Sequence, residues 1–453
     1  MMMLLIVLLL SIILIVKCMP YLVPLQGIVG GKRTLCILDD MTTISSHSIF
    51  FDNIKSRGHE ITFIQAESPH LILKKYGEYL YDNIILFAPT VEEFSGITID
   101  DILEFSNNGG NILIAANEQI SDTIRSLAEN VGIEFDQKKS VVIDHFQYSD
   151  KLDGDMTHTT ILASNVINSN IVIGKYANNK LPLLYRGIGH AVDDNNILAM
   201  KVLRGNPSSY SANPSVVLQE YPSNAGEDTL MITTIQARNN ARILVSGSLD
   251  FFSNTFFESK SFGNELFCDE ISKWTFGESG VLRYRDITHH KSDGTPPDVI
   301  LHEKERPDLP ISLYPDPEIT RNSLVYRIKD EIVFKMTVEL LVDGQWVPFS
   351  ADDMQMEFVM LDPYVRKTMI SNPKTGDFLA IFNAPDSYGV FKFRVFYRRQ
   401  GYSVLHSETP VSVRPFKHNE YERFIFSAYP YYSSAVSAMI AFLTFSLFFV
   451  FSK

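Results

Sequence analysis

Short apolar runs alternate with helical patterns through the first part of the chain. The runs are TLCILDD from Thr34, EITFIQA from Glu60, NIILFAP from Asn83 and NILIAAN from Asn111. Because they are apolar at successive positions, they are typical of parallel strands buried on both faces. Between them, QISDTIRSLAENVG places its apolar residues on one helix face. The alternation predicts a doubly wound α/β fold over residues 31–280, a twisted parallel sheet with helices on both faces.

The pattern loosens within that span, from about residue 140 to residue 235. Short strand-like pieces such as VVIDHF and IVIGKY are separated there by Gly, Asn and Pro, and we interpret the stretch as a β-rich elaboration. ARILVSGS, residues 241–248, then restores an apolar run, and a helical pattern follows around ELFCDEISKWTF. We therefore expect the sheet to be completed after the elaboration.

The period of the pattern changes after a Pro-rich segment. Residues 281–323 hold six prolines and the charged run HEKERPD, which disfavour helix and central strand and predict a linker. In residues 324–415, apolar side chains recur at every second position, as in Phe334 and Met336. Asp343-Gly344 has the composition of a tight hairpin turn. These features predict a small antiparallel β-sandwich.

Both ends of the chain carry apolar blocks. Residues 1–30 include MLLIVLLLSIILIV, whose length suits a secretory signal and is short for a membrane span. Residues 433–451 form a predicted transmembrane helix, almost wholly apolar from Ala435 onward. A juxtamembrane segment, residues 416–432, precedes it, and a tail of residues 452–453 follows. This order predicts a single-pass type I protein whose body lies in the lumen.

Two alternatives for the ends stay open. Small residues Ser433, Ser434 and Ala435 before a hydrophobic C-terminal tail are also typical of a lipid-anchor signal, although no polar spacer separates them from the tail. The first block is an uncleaved anchor in the other alternative, because no Lys or Arg precedes it and its flank VKCMP lacks an A-x-A cleavage site.

Composition narrows the classes of function. The net charge is −13 and no long Lys/Arg run occurs, which argues against nucleic-acid binding. Of three cysteines, Cys18 lies in the predicted signal. Cys36 falls in an apolar strand and Cys268 in a helical pattern, so we expect buried thiols rather than a disulfide scaffold. The chain contains no N-x-[ST] sequon.

Polar residues follow several of the predicted strands. Ligands of open α/β sheets bind beyond the carboxyl ends of the strands, so one edge could gather Asp39, Asp40, Asn117, Glu118, Ser248 and Asp250. Ser248 resembles a nucleophile at a strand-to-helix turn. A nucleophile elbow, however, needs small residues on both sides, whereas Leu249, Asp250 and two phenylalanines follow Ser248. We therefore favour a structural serine, and keep a membrane-tethered hydrolase using Ser248 as an alternative.

Other candidate chemistry is weak. The turn after the first strand, DDMTTISS, lacks the glycines that let backbone amides approach phosphate. Asp100-Asp101 is expected to open a helix, where acids complement the dipole. His289-His290 is expected in a solvated loop, without a further ligand at metal spacing. The sequence thus predicts no catalytic residue, no cofactor and no metal site.

Several longer stretches resemble the family of the 48 kDa, single-span subunit of the endoplasmic-reticulum oligosaccharyltransferase. They are RGHEITF, VGIEFD with VIDHFQY, LLYRGIG, QARNNARILVSGSLDFFS, GQWVPFSADDMQMEFVMLDPYVR, DSYGVFKFRVFYRRQGY and VSVRPFKHNEYERFIFSAYPYY. Together they extend from about Thr34 to the predicted span. The resemblance implies an N-terminal domain similar to class I glutamine amidotransferases, a β-sandwich, and one span in a multi-subunit complex in the endoplasmic-reticulum membrane.

The same resemblance implies a non-catalytic role. The complex transfers an oligosaccharide from dolichyl diphosphate to Asn of N-x-[ST], and the implied partners are its other subunits, including the catalytic one, with lipid around the span. Amidotransferase relatives use a Cys at the strand-to-helix turn, and neither Cys36 nor Cys268 lies in such a turn. Some members end in a lysine-rich tail, whereas this chain ends in SFSK. Retention would then depend on assembly through the span, or the C-terminus is incomplete.

The predicted helix also offers a contact surface. Small side chains allow close helix approach in membranes, and they are Ser433, Ser434, Ala435, Ser437, Ala438 and Ala441. A further alternative function is a lumenal module that binds peptide or glycan.

Overall fold

The computed structural model describes residues 31–153, 157–216, 221–259, 261–300 and 323–452. We call the described part of residues 31–280 the α/β body. Its strands are β1 (Arg33–Leu38), β2 (Glu60–Gln65), β3 (Lys74–Lys75), β4 (Glu78–Tyr79), β5 (Asn83–Phe87), β6 (Asn111–Ala115), β7 (Ile133–Phe135), β8 (Val141–Ile143), β9 (Ile161–Ala163), β10 (Asn165–Val166), β11 (Leu183–Tyr185), β12 (His190–Val192), β13 (Ala199–Arg204), β14 (Tyr210–Ala212), β15 (Leu230–Gln236) and β16 (Arg242–Ser246). Its helices are α1 (Thr43–Ser46), α2 (Ser48–Ser56), α3 (Ile99–Asn107), α4 (Asp122–Asn130), α5 (Asn254–Phe257) and α6 (Asn264–Thr275).

The main sheet combines a parallel half and an antiparallel half. Its order is β10-β13-β15-β16-β6-β5-β1-β2, with β12 and β7 attached beside β15. β16, β6, β5, β1 and β2 pair in parallel, while β15, β13 and β10 continue the sheet with antiparallel pairing. The four predicted runs form β1, β2, β5 and β6, and ARILVSGS forms β16, which completes the parallel half as expected.

Helices cover both faces of this sheet. Alternate residues of a strand point to opposite faces, so Cys36 of β1 packs in one cluster with Phe51 of α2 and Phe267 of α6. Leu35 points the other way, into a second cluster with α3 and α4, where Ile124 is buried. The prediction of an α/β fold with helices on both faces of the sheet is thus confirmed, although the sheet is mixed rather than wholly parallel.

Local capping explains where these helices begin. The side chain of Thr98 accepts a hydrogen bond from the backbone N–H of Asp101, whose carboxylate in turn accepts one from the Thr98 backbone N–H at 2.8 Å. This capping box, one residue before α3, accounts for the acidic pair at its start. Ser121 caps α4 in the same way, through the Ile124 backbone N–H.

The elaboration is β-rich, but β13 and β15 belong to the main sheet. The small pairs β9–β11 and β8–β14 lie outside it. Asp144, directly after β8, is fully buried and accepts hydrogen bonds from the Phe146 backbone, the Ser208 hydroxyl and the Asn206 amide. One carboxylate therefore joins the end of β8 to the turn before β14.

The described residues within 281–300 and 323–414 form two facing sheets, which we call the sandwich. Its strands are β17 (Val281–Lys291), β18 (Asp298–Ile300), β19 (Ser323–Arg327), β20 (Glu331–Val342), β21 (Gln345–Pro348), β22 (Gln355–Val359), β23 (Pro363–Thr368), β24 (Ile370–Asn372), β25 (Asp377–Asn383), β26 (Gly389–Tyr397) and β27 (Leu405–Arg414). One sheet has the order β17-β20-β25-β24 with β21 beside β20, and the other has the order β18-β19-β27-β26-β22-β23. Pairing is antiparallel except between β19 and β27.

The predicted Asp343-Gly344 turn joins β20 to β21. Its two φ angles are 48° and 75°, the left-handed values of a two-residue hairpin.

The start of the predicted linker is wrong. Residues 281–291 form β17, a full-length partner of β20. A bulge between Tyr284 and Ile287 interrupts the two-residue period, so the alternating pattern is hidden in the sequence. Asp298–Ile300 forms a further short strand, and residues 301–322 lie outside the described part.

The final element is α7 (Tyr429–Phe451), a helix of 23 residues. It begins four residues before the predicted start at Ser433, with Pro430 in its first turn, where the missing N–H has no intrahelical partner to lose. Its length and apolar composition fit one membrane crossing. The predicted signal, residues 1–30, lies outside the described residues.

Candidate functional site

Ser248 lies at the end of β16 and is fully buried. Its hydroxyl donates to the Arg186 carbonyl at 2.5 Å and accepts from the Phe251 backbone N–H at 3.1 Å. It therefore caps the tight turn Asp250–Phe252, which inserts Phe251 and Phe252 into the core. Since its proton is committed to a backbone carbonyl and neither partner is a base, Ser248 is not arranged as a nucleophile.

The acids at the sheet edge are bound into neighbouring loops. Asp39, after β1, accepts from the hydroxyl of Thr90 at 2.8 Å and its backbone N–H at 3.2 Å, and burial raises the pKa of Asp39. Asp40 accepts from the Thr42 hydroxyl at 2.7 Å, which lowers the pKa of Asp40. The Asp40 contact closes the turn between β1 and α1, the Asp39 contact joins the end of β1 to the loop after β5, and within the described part of the chain the two carboxylates share no hydrogen-bond partner.

The remaining edge residues bind a neighbouring loop, bind within their own turn, or are exposed. Asp250 pairs with the Arg186 guanidinium at 2.7 Å on the surface. Asn117 accepts from the Gln119 backbone N–H at 2.9 Å within its own turn, and Glu118 is exposed. Among the described residues, no hydrogen bond joins any of the six predicted edge residues to another of the six. The topology brings their strands to one edge, as expected, but does not assemble the side chains into a catalytic group.

His289 lies in β17, so its predicted placement in a solvated loop is wrong. Its Nδ1 lies 2.7 Å from the Tyr326 hydroxyl, and its ring centre lies 5.0 Å from that of Phe393. Burial lowers the pKa of His289, which favours the neutral ring. Within the described residues, no three His, Cys, Asp or Glu side chains cluster as metal ligands would.

Both described cysteines are buried and free, as predicted. Burial raises the pKa of the Cys36 and Cys268 thiols well above the ordinary value. Because the thiolate is the nucleophile, these groups are held in the unreactive form.

The contact between the α/β body and the sandwich was not predicted, and an almost fully buried arginine lies beside it, bound to carbonyls of the α/β body next to the Gly401 carbonyl. Arg242 of β16 is 2% exposed, and its guanidinium donates to the carbonyls of Trp274, Ser279 and Gly280 at 2.5, 2.7 and 3.1 Å. The guanidinium carbon also lies 4.5 Å from the centre of the Trp274 ring. Burial lowers the pKa of Arg242 to about 9, so the group still carries its charge near neutral pH. A charged residue inside the apolar run ARILVSGS was the sequence signal for this contact.

Side chains of the α/β body bind the backbone of the loop before β27. Trp274 Nε1 donates to the Gly401 carbonyl at 2.8 Å, and Gln236 Nε2 donates to the Tyr402 carbonyl at 2.5 Å. Asn240 accepts from the Val404 backbone N–H at 2.7 Å. Together with Arg242, these residues form what we call the joint. It uses directional hydrogen bonds, so it fixes the orientation of the two parts as well as their contact.

A cleft of about 680 Å³ lies beside the joint. Lys175 of the α/β body and Asp343 of the sandwich hairpin both line it and form an ion pair of 3.1 Å. Trp346 lines it as well, with one ring face covered by the Arg283 guanidinium at 3.8 Å. The cleft carries charges of both signs and no arrangement typical of catalysis.

The small residues of α7 are all exposed in the isolated chain. The hydroxyls of Ser433, Ser434 and Ser437 donate to carbonyls three residues earlier, at 2.9, 2.9 and 2.8 Å. These hydroxyls are bound to their own helix, and the side chains of Ala435, Ala438 and Ala441 are small, so this part of the helix has little side-chain bulk. Its role in membrane packing stays a prediction.

The fold defines a class of protein: a mixed α/β body and a β-sandwich-like region, followed by an apolar helix that fits a membrane span. Two family models match the chain, the N-terminal domain of OST48 over residues 26–278 and the OST48 middle domain over residues 315–453. The chain belongs to the OST48 family, which confirms the resemblance read from the sequence.

Named relatives match along almost their whole length. The dolichyl-diphosphooligosaccharide–protein glycosyltransferase 48 kDa subunit of Danio rerio is 40% identical over 442 residues, covering 94% of this chain and 93% of the relative. The subunit of that name from Drosophila melanogaster is 42% identical over 439 residues, covering 93% and 91%. Among solved structures, a ThuA-like protein from Parabacteroides merdae is 12% identical with a TM-score of 0.32, covering 54% of this chain and 89% of that chain. That score is too low to support a fold assignment.

Proposed function

We propose that this chain is a non-catalytic structural subunit of the oligosaccharyltransferase complex of the endoplasmic reticulum. The complex would transfer oligosaccharide from dolichyl diphosphate to Asn of N-x-[ST] in nascent proteins. One observation carries the proposal: the identity of about 40% to the 48 kDa subunit extends over 94% of the chain. Similarity over the full length favours a shared place in an assembly over a shared fold alone.

The chemistry of the candidate groups supports a role without catalysis. Ser248 is buried with its hydroxyl engaged, and Cys36 and Cys268 are buried thiols. Asp39 joins the ends of two strands, and Asp40 closes a turn. These are structural uses of residue types that also serve in catalysis. We therefore assign the transfer reaction to a partner, the catalytic subunit.

The proposed topology is single-pass type I. Residues 1–30 would serve as the signal, the body and the sandwich would lie in the lumen, residues 433–451 would span the membrane, and residues 452–453 would be cytosolic. Among the described residues, α7 is the one helix long and apolar enough to cross a membrane, and its position supports this order. Tyr429, Tyr431 and Tyr432 in its first turn support it as well, because aromatic rings prefer the membrane interface.

We also propose that residues 31–280 form a domain similar to class I glutamine amidotransferases, and that the predicted second domain, residues 324–415, is completed by β17 and β18. The parallel half of the sheet supports this, because its strands, numbered in chain order, lie in the order 2-1-3-4-5 that is typical of one doubly wound fold.

The proposed membrane contact of α7 is the surface of small residues. Ser433, Ser434, Ala435, Ser437, Ala438 and Ala441 would let a helix of another subunit approach closely, while lipid would surround the rest.

Depletion and replacement test the proposal. Removing the endogenous protein from eukaryotic cells is expected to destabilise the purified complex and lower the occupancy of N-x-[ST] sites on secreted glycoproteins, and wild-type chain should restore both. Ser248→Ala should restore both equally, because it removes only a cap worth about 1 kcal/mol. An assembled complex that loses transfer with Ser248→Ala would contradict a non-catalytic role.

A helix variant tests the membrane contact separately. Ala438→Leu combined with Ala441→Leu enlarges the small surface and should reduce co-purification of other subunits. The control pair, Ile440→Leu with Leu443→Ile, keeps side-chain size and should assemble normally. Equal assembly of the two pairs would contradict this contact.

A further inference from the structure

The hairpin β3–β4 has an unfavourable residue at its turn. Its two central residues, Tyr76 and Gly77, have φ angles of 55° and 86°. A turn with two left-handed residues favours Asn, Asp or Gly at the first position, because a large side chain is strained there. The fold could be built at lower free-energy cost with another residue at position 76.

The base of this hairpin is firmly attached to the α/β body. The Tyr79 ring packs edge-on against Phe105 of α3 with ring centres 5.3 Å apart, and its hydroxyl accepts from the Asn108 amide at 3.1 Å. Lys74 lies over the same ring at 4.9 Å and pairs with Glu104 at 2.5 Å. The turn is therefore presented on a short, rigid base.

The turn itself is exposed. Tyr76 is 96% exposed, and Ile72 just before the hairpin is 50% exposed. The Lys75 ammonium lies 5.5 Å from the Tyr76 ring, and no carboxylate comes within 4 Å of it in the described part of the chain. Ring and cation thus form one unit that contributes little to the packing of this chain.

We propose that Lys75 and Tyr76 are an anchor that docks the α/β body onto another protein subunit. The matching surface would offer an apolar slot for one aromatic ring, with a carboxylate at its rim for the Lys75 ammonium. Tyrosine is prominent among the residues that dominate binding at interfaces, because it buries a large rigid area. The Lys75 ammonium is one cation, which matches one carboxylate on the partner. Binding to a lipid or nucleic-acid surface would instead require a cluster of cations. The inference rests on the proposed function, since it requires a multi-subunit assembly.

Tyr76→Asn separates docking from folding. Asn tolerates the left-handed conformation, so the variant should keep or raise the unfolding temperature of the purified full-length chain. It should dissociate from the complex at least tenfold faster than wild type when challenged with excess untagged chain. Tyr76→Phe should retain most of the binding, and Lys75→Glu should weaken it in a salt-dependent way.

Lys139→Asn is the matched control. Lys139 is also exposed, with a φ angle of 66°, so its replacement relieves the same strain without removing an aromatic ring. This variant should dissociate at the wild-type rate.

The outcomes are distinct. Unchanged dissociation of Tyr76→Asn would overturn the anchor and leave the proposed function intact. A lower unfolding temperature together with faster dissociation would also overturn it, because Tyr76 would then support folding. If wild-type chain itself captured no other subunit, the proposed function would fail, and the anchor with it.

Discussion

The α/β body and the sandwich solve the burial of polar groups in opposite ways. In the α/β body, Arg242, His190 and Asp144 are almost fully buried and bind through hydrogen bonds to backbone or neighbouring side chains. In the sandwich, the core is largely Phe and Met, and charges such as Glu357 with Arg366 pair on the outside. Both parts have apolar cores, and the α/β body in addition buries charged and polar side chains in directional hydrogen bonds, so substitutions of polar residues should differ in effect between them.

The largest effect is expected from removing a ring of the sandwich core. Phe393 is 1% exposed, with ring centres of Phe334 and Phe358 at 5.0 and 5.1 Å. Phe393→Ala should lower the free energy of unfolding by about 3–5 kcal/mol through lost burial and a cavity. Denaturant titration of the purified full-length chain measures it. Phe396→Ala on the outer face of the same strand is the control, expected to change stability by about 0.5 kcal/mol, and a similar loss in both variants would contradict the assigned core.

The second-largest effect is expected from removing the buried charge of the joint. Arg242→Met preserves length but removes three hydrogen bonds to carbonyls, so we expect a loss of about 3 kcal/mol in the free energy of unfolding. Arg285→Met, at an exposed ion pair, is the control, with an expected change below about 1 kcal/mol. Equal stability of Arg242→Met and wild type would show that the joint is held by apolar contact, as the sandwich is.

The next effect, which is smaller for each unit of pH, is a dependence of the free energy of unfolding on pH. Burial lowers the pKa of His190 to about 3, from 6.5 for the ordinary side chain. Unfolding between these values takes up a proton, so the stabilisation is complete above pH 6.5 and is lost as the pH falls towards 3. The slope should be at most about 1.4 kcal/mol per pH unit. His190→Gln should reduce the slope, the exposed His418→Gln should not, and identical slopes in all three proteins would refute the assignment.

The smallest effect is expected at the outer face of the sandwich. Glu357 pairs with Arg366 and Arg394, each at 2.6 Å. Glu357→Gln should cost about 1 kcal/mol or less, and high salt should reduce the difference because the arginine partners are partly exposed and their charges are screened. Unfolding titrations at two salt concentrations measure this. A larger loss that persists in salt would make the sandwich resemble the α/β body.

The elements predicted from sequence were those with a local signal. The runs of β1, β2, β5 and β6 are apolar along their length, and Asp343-Gly344 has the residues of its turn. β17 was missed because its bulge breaks the alternation. Strand order was only partly accessible, since β16 pairs with β6 across the whole elaboration and no local pattern records such a partner.

For the candidate sites, too, prediction from sequence depended on whether the contacts are between residues close in the chain. The residues after Ser248 indicated a local contact, and the structure has one, because the Phe251 backbone N–H donates to the Ser248 hydroxyl. The Asp39–Thr90 contact joins the ends of two strands, and the partner of Trp274 is the backbone carbonyl of Gly401, which carries no side-chain signal. Contacts to a distant backbone are therefore the part of the joint that sequence reasoning could not reach.

The position of β16 has a consequence for synthesis. Roughly 130 residues separate the end of β6 from the start of β16, its neighbour in the parallel half. At about 5–20 residues per second, the ribosome needs about 6–25 s to deliver the missing strand. Throughout that interval the emerging chain presents an unpaired apolar strand edge, and this is the period in which a chaperone would be most useful to the nascent protein.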